Sequence, residues 1–146
     1  MSSILVLVNF LGVLYMNVFP LRLSPKEDLK SCLENWAQQH SIQAGWIITG
    51  MGSLSKISIR YAGRDCTDIQ EGDWEICSLS GTISTAGLHV HMVVSDAQGR
   101  CVGGHLMQGN IVRTTAELVL GSTETFEFSR IFDPRTGYPE LHIAKK

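Results

Sequence analysis

Three of the five histidines are grouped around one short stretch of the chain. His89 and His91 are separated by a single valine, so in a β-strand their side chains point to the same side. Residues 96–99, Asp-Ala-Gln-Gly, are typical of a turn, and His105 lies on the segment that follows it. If the two segments pair as a hairpin, we expect the three imidazoles to meet. Three imidazoles can hold a metal ion and leave its fourth coordination position open.

The residues before His105 favour this convergence. Gly103 and Gly104 carry no side chain, so another backbone can approach them closely. The alternative is a group of histidines hydrogen-bonded to neighbouring carbonyl and carboxylate oxygens, because many solvated strands carry two histidines. Imidazole binds zinc and also iron, nickel or copper. The sequence therefore predicts a divalent transition metal, for example zinc, and leaves its identity open.

Charged residues elsewhere could support chemistry at such a metal. A metal ion lowers the pKa of its bound water towards about 7 and so creates a nucleophile. Glu75, Glu117 or Arg60 could then act as a general base or hold an anionic group. Glu117 could instead orient a metal-bound histidine, or it is simply a solvated strand residue. No substrate signature accompanies these residues.

The composition lacks the charge pattern of a nucleic-acid-binding domain. The 146 residues carry a formal net charge of −2, only 18% of them are charged, and no run of lysine or arginine occurs. Binding to phosphates needs a basic patch or stripe. The 44% hydrophobic content leaves room for an apolar interface between subunits. None of the four cysteines forms a C-x-x-C motif, so we expect reduced thiols in a cytoplasmic protein.

Residues 1–15 form an apolar N-terminal extension whose role the sequence leaves open. The stretch 4–15 is almost wholly apolar but too short for a membrane-spanning helix. It has the length of a signal-peptide core, yet it lacks a basic segment before it and a clear cleavage site after it. We therefore expect an extra strand, or translation that begins at Met16, rather than export, and no association with a membrane.

The rest of the chain predicts one main helix and about seven short strands. Ser24 as N-cap, with Pro25 and Glu27 after it, is a helix start, and the helix should run to about His40. Alternating apolar and polar residues predict strands at 17–23, 54–61 and 74–81, and a short apolar run predicts one at 44–49. Further strands are expected at 125–132, in the second half of 111–120, and in the histidine hairpin.

These elements indicate an α+β fold with a mainly antiparallel sheet. Residues 62–72 are expected to form a polar loop, and the C-terminal residues from Tyr138 onwards to pack loosely. We expect one domain over residues 16–142, with a tail at 143–146.

Several short motifs follow one another along the chain in a specific order and spacing. They are Gly50–Leu54, Gly72–Ile76, Ser80–Ile83, Gly87–His91, Gly103–Leu106, Thr115–Glu117 and Phe128–Arg130. In this series the chain resembles the plant and prokaryote conserved (PPC) domain, over about residues 16–142. The resemblance implies an α+β fold that assembles as a homotrimer. It also implies a divalent metal bound by His89, His91 and His105, which match the histidines of prokaryotic members residue by residue.

Plant members of this family join the domain to AT-hook DNA-binding motifs, and prokaryotic members are often labelled DNA-binding by that association. This sequence has no R-G-R-P motif and thus no basic arm to enter a minor groove, so we expect no specific DNA binding. One segment matches the plant pattern G-R-F-E-I-L, with Asp73 in place of the arginine. The resemblance implies that this segment contacts a protein partner through Gly72, Asp73, Trp74, Glu75, Ile76 and Cys77.

Three hypotheses for function follow. The first is a homotrimeric metal-binding module that interacts with or regulates other molecules. The second is a metal-dependent enzyme that acts on a small molecule. The third is a DNA-associated regulatory protein.

Overall fold

The structure is a computed structural model that describes residues 15–146. Nearly all of the predicted N-terminal extension lies outside the described residues. The elements are β1 (Asn17–Leu23), α1 (Leu29–Gln39), β2 (Gly45–Arg60), β3 (Asp68–Ser84), β4 (Gly87–Ser95), β5 (Cys101–Leu106), β6 (Ile111–Ser122), β7 (Phe126–Asp133) and β8 (Tyr138–Lys145). The predicted α+β class is confirmed, with one helix and eight strands over residues 15–146. Within this range no helix has the length and apolar content needed to cross a membrane.

The strands form two antiparallel sheets. The larger sheet has six strands in the order β1-β6-β2-β3-β4-β5, and the smaller one pairs β7 with β8. An additional pairing joins the end of β2 to β5. This pairing closes β2, β3, β4 and β5 into a ring, and it brings the return strand of the histidine hairpin against the end of β2.

The hydrophobic core is formed by one face of α1 and the inner face of the large sheet. The helix buries the four residues that its sequence pattern places on one side, Leu29, Leu33, Trp36 and Ala37. They pack in one cluster with buried residues of β2, β3, β4 and β6. Burial of each large apolar side chain contributes about 1.5 to 3 kcal/mol, so the core fixes which face of each strand turns inward.

Strand β4 illustrates how the core positions the histidines. Val90, Met92 and Val94 are at most 2% exposed, and strand alternation turns His89 and His91 to the opposite face. A register slip of one residue would expose three apolar side chains and bury both imidazoles. The apolar pattern of β4 therefore determines the direction of the two histidines.

The predicted start of the helix at Ser24 was wrong. Glu27 does accept a hydrogen bond from the Ser24 backbone N–H at 2.5 Å, but Lys26 has a positive φ of 74°, which ends any helical run there. The N-cap is Asp28, whose side chain accepts from the Ser31 N–H at 2.8 Å. The preceding segment is instead bonded to the start of β6, through the Lys26 N–H and the Val112 carbonyl at 2.9 Å.

The expectations for three further parts of the chain are corrected. Segments 44–49 and 54–61 belong to one long strand, β2, and the loop after it is shorter than predicted because β3 begins at Asp68. The C-terminal residues are not loose, since β8 pairs with β7 along its full length, from Asp133 and Tyr138 to Phe126 and Lys145. The predicted tail at 143–146 is thus mostly strand. In each case backbone pairing with a neighbouring strand outweighs a weak side-chain pattern.

Gly104 allows the close contact between β5 and β2, as the sequence predicted. A Cβ at this position would lie 2.6 Å from the Arg60 carbonyl oxygen and 2.8 Å from Ile59 Cγ2. We expect Gly104→Ala to lower the free energy of unfolding by about 1 to 3 kcal/mol, the range for an overpacked site. Cys101→Ala, at an exposed position of the same strand, is the control and should change stability by less than about 0.5 kcal/mol. Urea denaturation of both variants tests this, and equal stabilities would contradict it.

Candidate metal centre

The three predicted histidines come together on the outer face of the ring. His91 and His105 are Cα partners across the β4–β5 pair, so their side chains stand side by side on one face. His89 lies two residues before His91 on the same face. The Asp96–Gly99 turn closes the hairpin, with the Asp96 carboxylate accepting from the Gln98 and Arg100 N–H groups, each at 2.9 Å. The turn chemistry and the strand register together determine the cluster.

The distances within the cluster fit a single metal ion. The ring centroids are 4.9 to 5.4 Å apart, and one ligand nitrogen from each ring lies within 4.8 Å of the other two. The Nε2 atoms of His89 and His91 are 3.1 Å apart. Two nitrogens on a tetrahedral zinc ion at about 2.0 Å would be about 3.3 Å apart, which is close to the separation of this pair. The donors present fit a zinc-like ion.

The surroundings keep two of these imidazoles neutral at pH 7. Burial is the largest cause that lowers the pKa of His105 to about 4, followed by the charges of His89 and Arg60. Burial also lowers the pKa of His89, helped by His91 and Arg130 and opposed by Glu140. A neutral imidazole has a free lone pair for a metal. The cluster is therefore prepared for a cation that binds through nitrogen.

This lowered pKa predicts how the stability of the metal-free protein depends on pH. Above about pH 6.5 the His105 ring is neutral in both folded and unfolded chains. Below that pH, His105 becomes protonated in the unfolded chain, whereas in the folded chain it stays neutral until the pH approaches its lowered pKa of about 4. Stability should fall as the pH drops through this window, by about 1 to 2 kcal/mol after a discount for solvent screening of a half-exposed ring.

Chemical denaturation of the chelator-treated protein at several pH values measures this fall. His105→Asn, which cannot titrate, is the control and should show a smaller decrease over the same range. Identical pH profiles for the two proteins would contradict the assigned role of His105.

The histidines lie in a cleft of about 810 Å³. One wall is formed by the end of β2 and the glycines of β5, and the other by the β7–β8 hairpin. Charged and aromatic side chains that line the cleft include Arg60, Arg130, Tyr138 and Glu140. The volume is within the range of small-molecule sites, about 300 to 1,000 Å³.

Of the charged residues proposed from the sequence, Arg60 lies at the cluster and two others lie elsewhere in the chain. Arg60 is the Cα partner of His105. Glu75 is exposed on β3, opposite Ser53 and Ser95. Glu117 is exposed on β6, opposite Arg22 and Met51. Neither glutamate lines the cleft of its own chain.

Sequence reasoning missed the contribution of the β7–β8 hairpin. Arg130, Tyr138 and Glu140 all come from it. The Arg130 Nη2 group donates to Thr82 Oγ1 at 3.0 Å, and Thr82 is the Cα partner of His89. The turn at 133–137 between two strands was a usable signal, because it brings the second strand back towards the first.

The segment 72–77 proposed for partner contact forms part of β3. Trp74 and Ile76 are buried, whereas Asp73, Glu75 and Cys77 are exposed. The Asp73 carboxylate forms an ion pair with Arg113 Nη2 at 3.2 Å. The Trp74 Nε1–H is buried without a hydrogen-bond partner. On this strand two carboxylates and a thiol therefore face solvent, while Trp74 and Ile76 face the core.

Comparison with known proteins identifies the family. Residues 13–124 match the profile of the Plants and Prokaryotes Conserved (PCC) domain, and the chain belongs to this family. The predicted PPC resemblance is thus confirmed. A crystal structure of a PPC protein from Pyrococcus horikoshii has the same fold, with a TM-score of 0.73 at 22% identity over 92% of this chain and 98% of that one.

Two other solved structures are similar. A hypothetical protein from Salmonella cholerae-suis is 40% identical, with a TM-score of 0.89 over 92% of this chain and 98% of that one. A protein from Archaeoglobus fulgidus, described as metal-containing, has a TM-score of 0.76 at 24% identity, over 90% and 99% of the two chains. At that identity the likeness shows the fold alone.

Similar sequences also occur within larger proteins. The chain is 46% identical over 130 residues to the Bifunctional protein GlmU of Synechococcus sp. (strain JA-3-3Ab). This match covers 89% of the chain but only 21% of that protein. The chain thus spans about a fifth of the length of the curated relatives it matches.

Proposed function

We propose that this protein is a homotrimeric metal-binding module of the PPC family that interacts with or regulates other molecules. One divalent transition metal, for example zinc, is held by His89, His91 and His105. The single observation that carries the proposal is the convergence of three imidazoles at distances that suit one ion. A cytoplasmic location fits its cysteines, which are free.

Two comparisons support the idea of a module. The metal-containing protein of Archaeoglobus fulgidus shares the fold. In GlmU the similar sequence is about a fifth of a larger protein, as expected for a domain that works beside others. The exposed side of residues 72–77 is the proposed contact for a protein partner. A photo-crosslinker on Cys77 tests it, and a lack of any cross-linked partner in cells would contradict it.

Metal content and mass together test the proposal. Protein purified without added metal and dialysed against chelator-free buffer should contain about one transition-metal ion per chain by elemental analysis. Light scattering should give three times the 16.1 kDa chain mass. Exposed apolar side chains such as Val18, Ile48 and Met51 support the proposed trimer, because an interface between subunits would cover them. Protein without metal would contradict the metal site, and a monomeric mass would contradict the trimer.

A metal-dependent enzyme is the second candidate, and the cleft around the histidines favours it. A three-histidine site leaves a coordination position for water, and the cleft has room for a small substrate. A metabolite screen with and without a chelator separates the two functions. Turnover that disappears with the chelator would favour the enzyme. A lack of turnover under both conditions would favour the module.

DNA association is the third candidate. Structures from Bacteroides thetaiotaomicron and Ralstonia eutropha with the same fold are described as putative DNA-binding proteins, at 21% and 20% identity. The net charge of −2 argues against it, because phosphate contacts need basic residues. We expect no specific shift in a gel assay at about 0.15 M salt, where weak contacts are screened.

A further inference from the structure

Two arginines border the histidine cluster from different elements. Arg60, at the end of β2, is the Cα partner of His105 and stands beside it. Arg130, on β7, reaches across to Thr82 beside His89, with a hydrogen bond of 3.0 Å. Both side chains are half-buried and both line the cleft. The histidine cluster is thus bordered by one arginine from β2 and one from β7.

Over residues 15–146 neither arginine forms an ion pair with a carboxylate. Arg60 donates to the Arg64 carbonyl oxygen at 3.4 Å and Arg130 to Thr82, so most of the five N–H donors of each guanidinium remain available. In the described chain Glu140 is the one carboxylate that lines the cleft. Neutral imidazoles leave the charge of a bound divalent ion uncompensated, so positive charge prevails.

We propose that this cleft binds a small organic molecule with an oxyanion group, a carboxylate or a phosphate, between Arg60 and Arg130 at the open side of the metal. The inference rests on the proposed metal site. A guanidinium group matches the paired oxygens of either oxyanion through parallel hydrogen bonds. The volume of about 810 Å³ exceeds what an inorganic ion needs, and Leu88 and Tyr138 offer apolar surface for the rest of the molecule.

The β7–β8 hairpin contributes the second half of this clamp. Arg130, Tyr138 and Glu140 all belong to it and line the cleft. The Phe128 N–H donates to the carbonyl of Gln43, which lies between α1 and β2, at 2.9 Å, and Arg130 joins the hairpin to Thr82 of β3. We therefore assign to this hairpin the selection of the ligand.

Calorimetry of the full, zinc-loaded chain tests the clamp with three probes: malonate, methyl phosphate and the neutral analogue malonamide. We expect at least one oxyanion to bind and malonamide not to bind. Arg60→Gln and Arg130→Gln should each weaken oxyanion binding at least tenfold while the zinc content stays at one ion per chain. Arg135→Gln is the matched control, since this exposed arginine lies on the turn of the same hairpin and pairs with Asp133.

The outcomes separate this inference from the proposed function. Binding of malonate alone or of methyl phosphate alone supports the clamp and identifies the oxyanion. Zinc uptake without binding of either oxyanion, equal binding of malonamide, or unchanged affinity in Arg130→Gln overturns the clamp and leaves the metal module standing. A chain that takes up no zinc overturns both.

Discussion

Replacement of His105 by alanine is expected to reduce the affinity for zinc by more than ~100-fold. Loss of a residue that merely supports a metal ligand typically reduces affinity 10- to 100-fold, and His105 is itself one of the three side chains of the cluster that could hold the ion. Without it, two imidazoles from a single strand remain, and they cannot enclose the ion from a second side. Competition titration against a chromophoric chelator measures the change.

The control for this variant is His142→Ala. His142 is an exposed residue of β8, where its Nδ1 lies 3.5 Å from Ser129 Oγ, and it takes no part in the cluster. We expect this variant to bind zinc like the unmodified protein. If His105→Ala keeps full affinity, or if both variants lose it equally, the three-histidine site is wrong.

Replacement of Asn110 by alanine is expected to lower the free energy of unfolding by about 3 kcal/mol or more. Asn110 is fully buried at 0% exposure. Its side chain accepts from the Ser58 N–H at 2.8 Å and donates to the carbonyl oxygens of Ser58 and Met107 at 2.9 and 2.6 Å. Each buried backbone group left without a partner costs about 1 to 3 kcal/mol.

The Asn110→Ala substitution should also weaken metal binding. The bonds of Asn110 join the segment after β5 to the end of β2, next to the pair Arg60 and His105 that closes the ring. We therefore expect weaker zinc binding as well as a lower urea midpoint. Gln108→Ala, at an exposed side chain bonded to Glu34 at 3.3 Å, should change neither by much. An Asn110→Ala protein as stable as the control would contradict the proposed role.

The histidine cluster could be predicted because its determinants are local. The spacing of His89 and His91, the apolar pattern of β4 and the turn before β5 all lie within one hairpin. A strand has a fixed period of two, so one face follows from the sequence once the strand is recognised. The buried face of α1 could be predicted for the same reason, since its period is also fixed.

The remaining features depend on contacts between distant parts of the chain. The role of Asn110 becomes visible only where Ser58 approaches it, because its amide then bridges two segments. The start of α1 shifted because backbone bonds to β6 replaced the expected cap. Arg130 reaches the cluster only because the β7–β8 hairpin folds back onto β3, where Thr82 accepts its hydrogen bond. Such pairings leave little trace in residue patterns.

X-ray absorption spectroscopy of the zinc-loaded protein shows whether the three histidines hold the ion, because it reports the atoms bound to the metal. We expect three imidazole nitrogens at about 2.0 Å with one further light ligand, and no sulfur. Zinc–sulfur scattering at about 2.3 Å, or fewer than three imidazoles, would show that the ion binds elsewhere and that the three-histidine site is wrong.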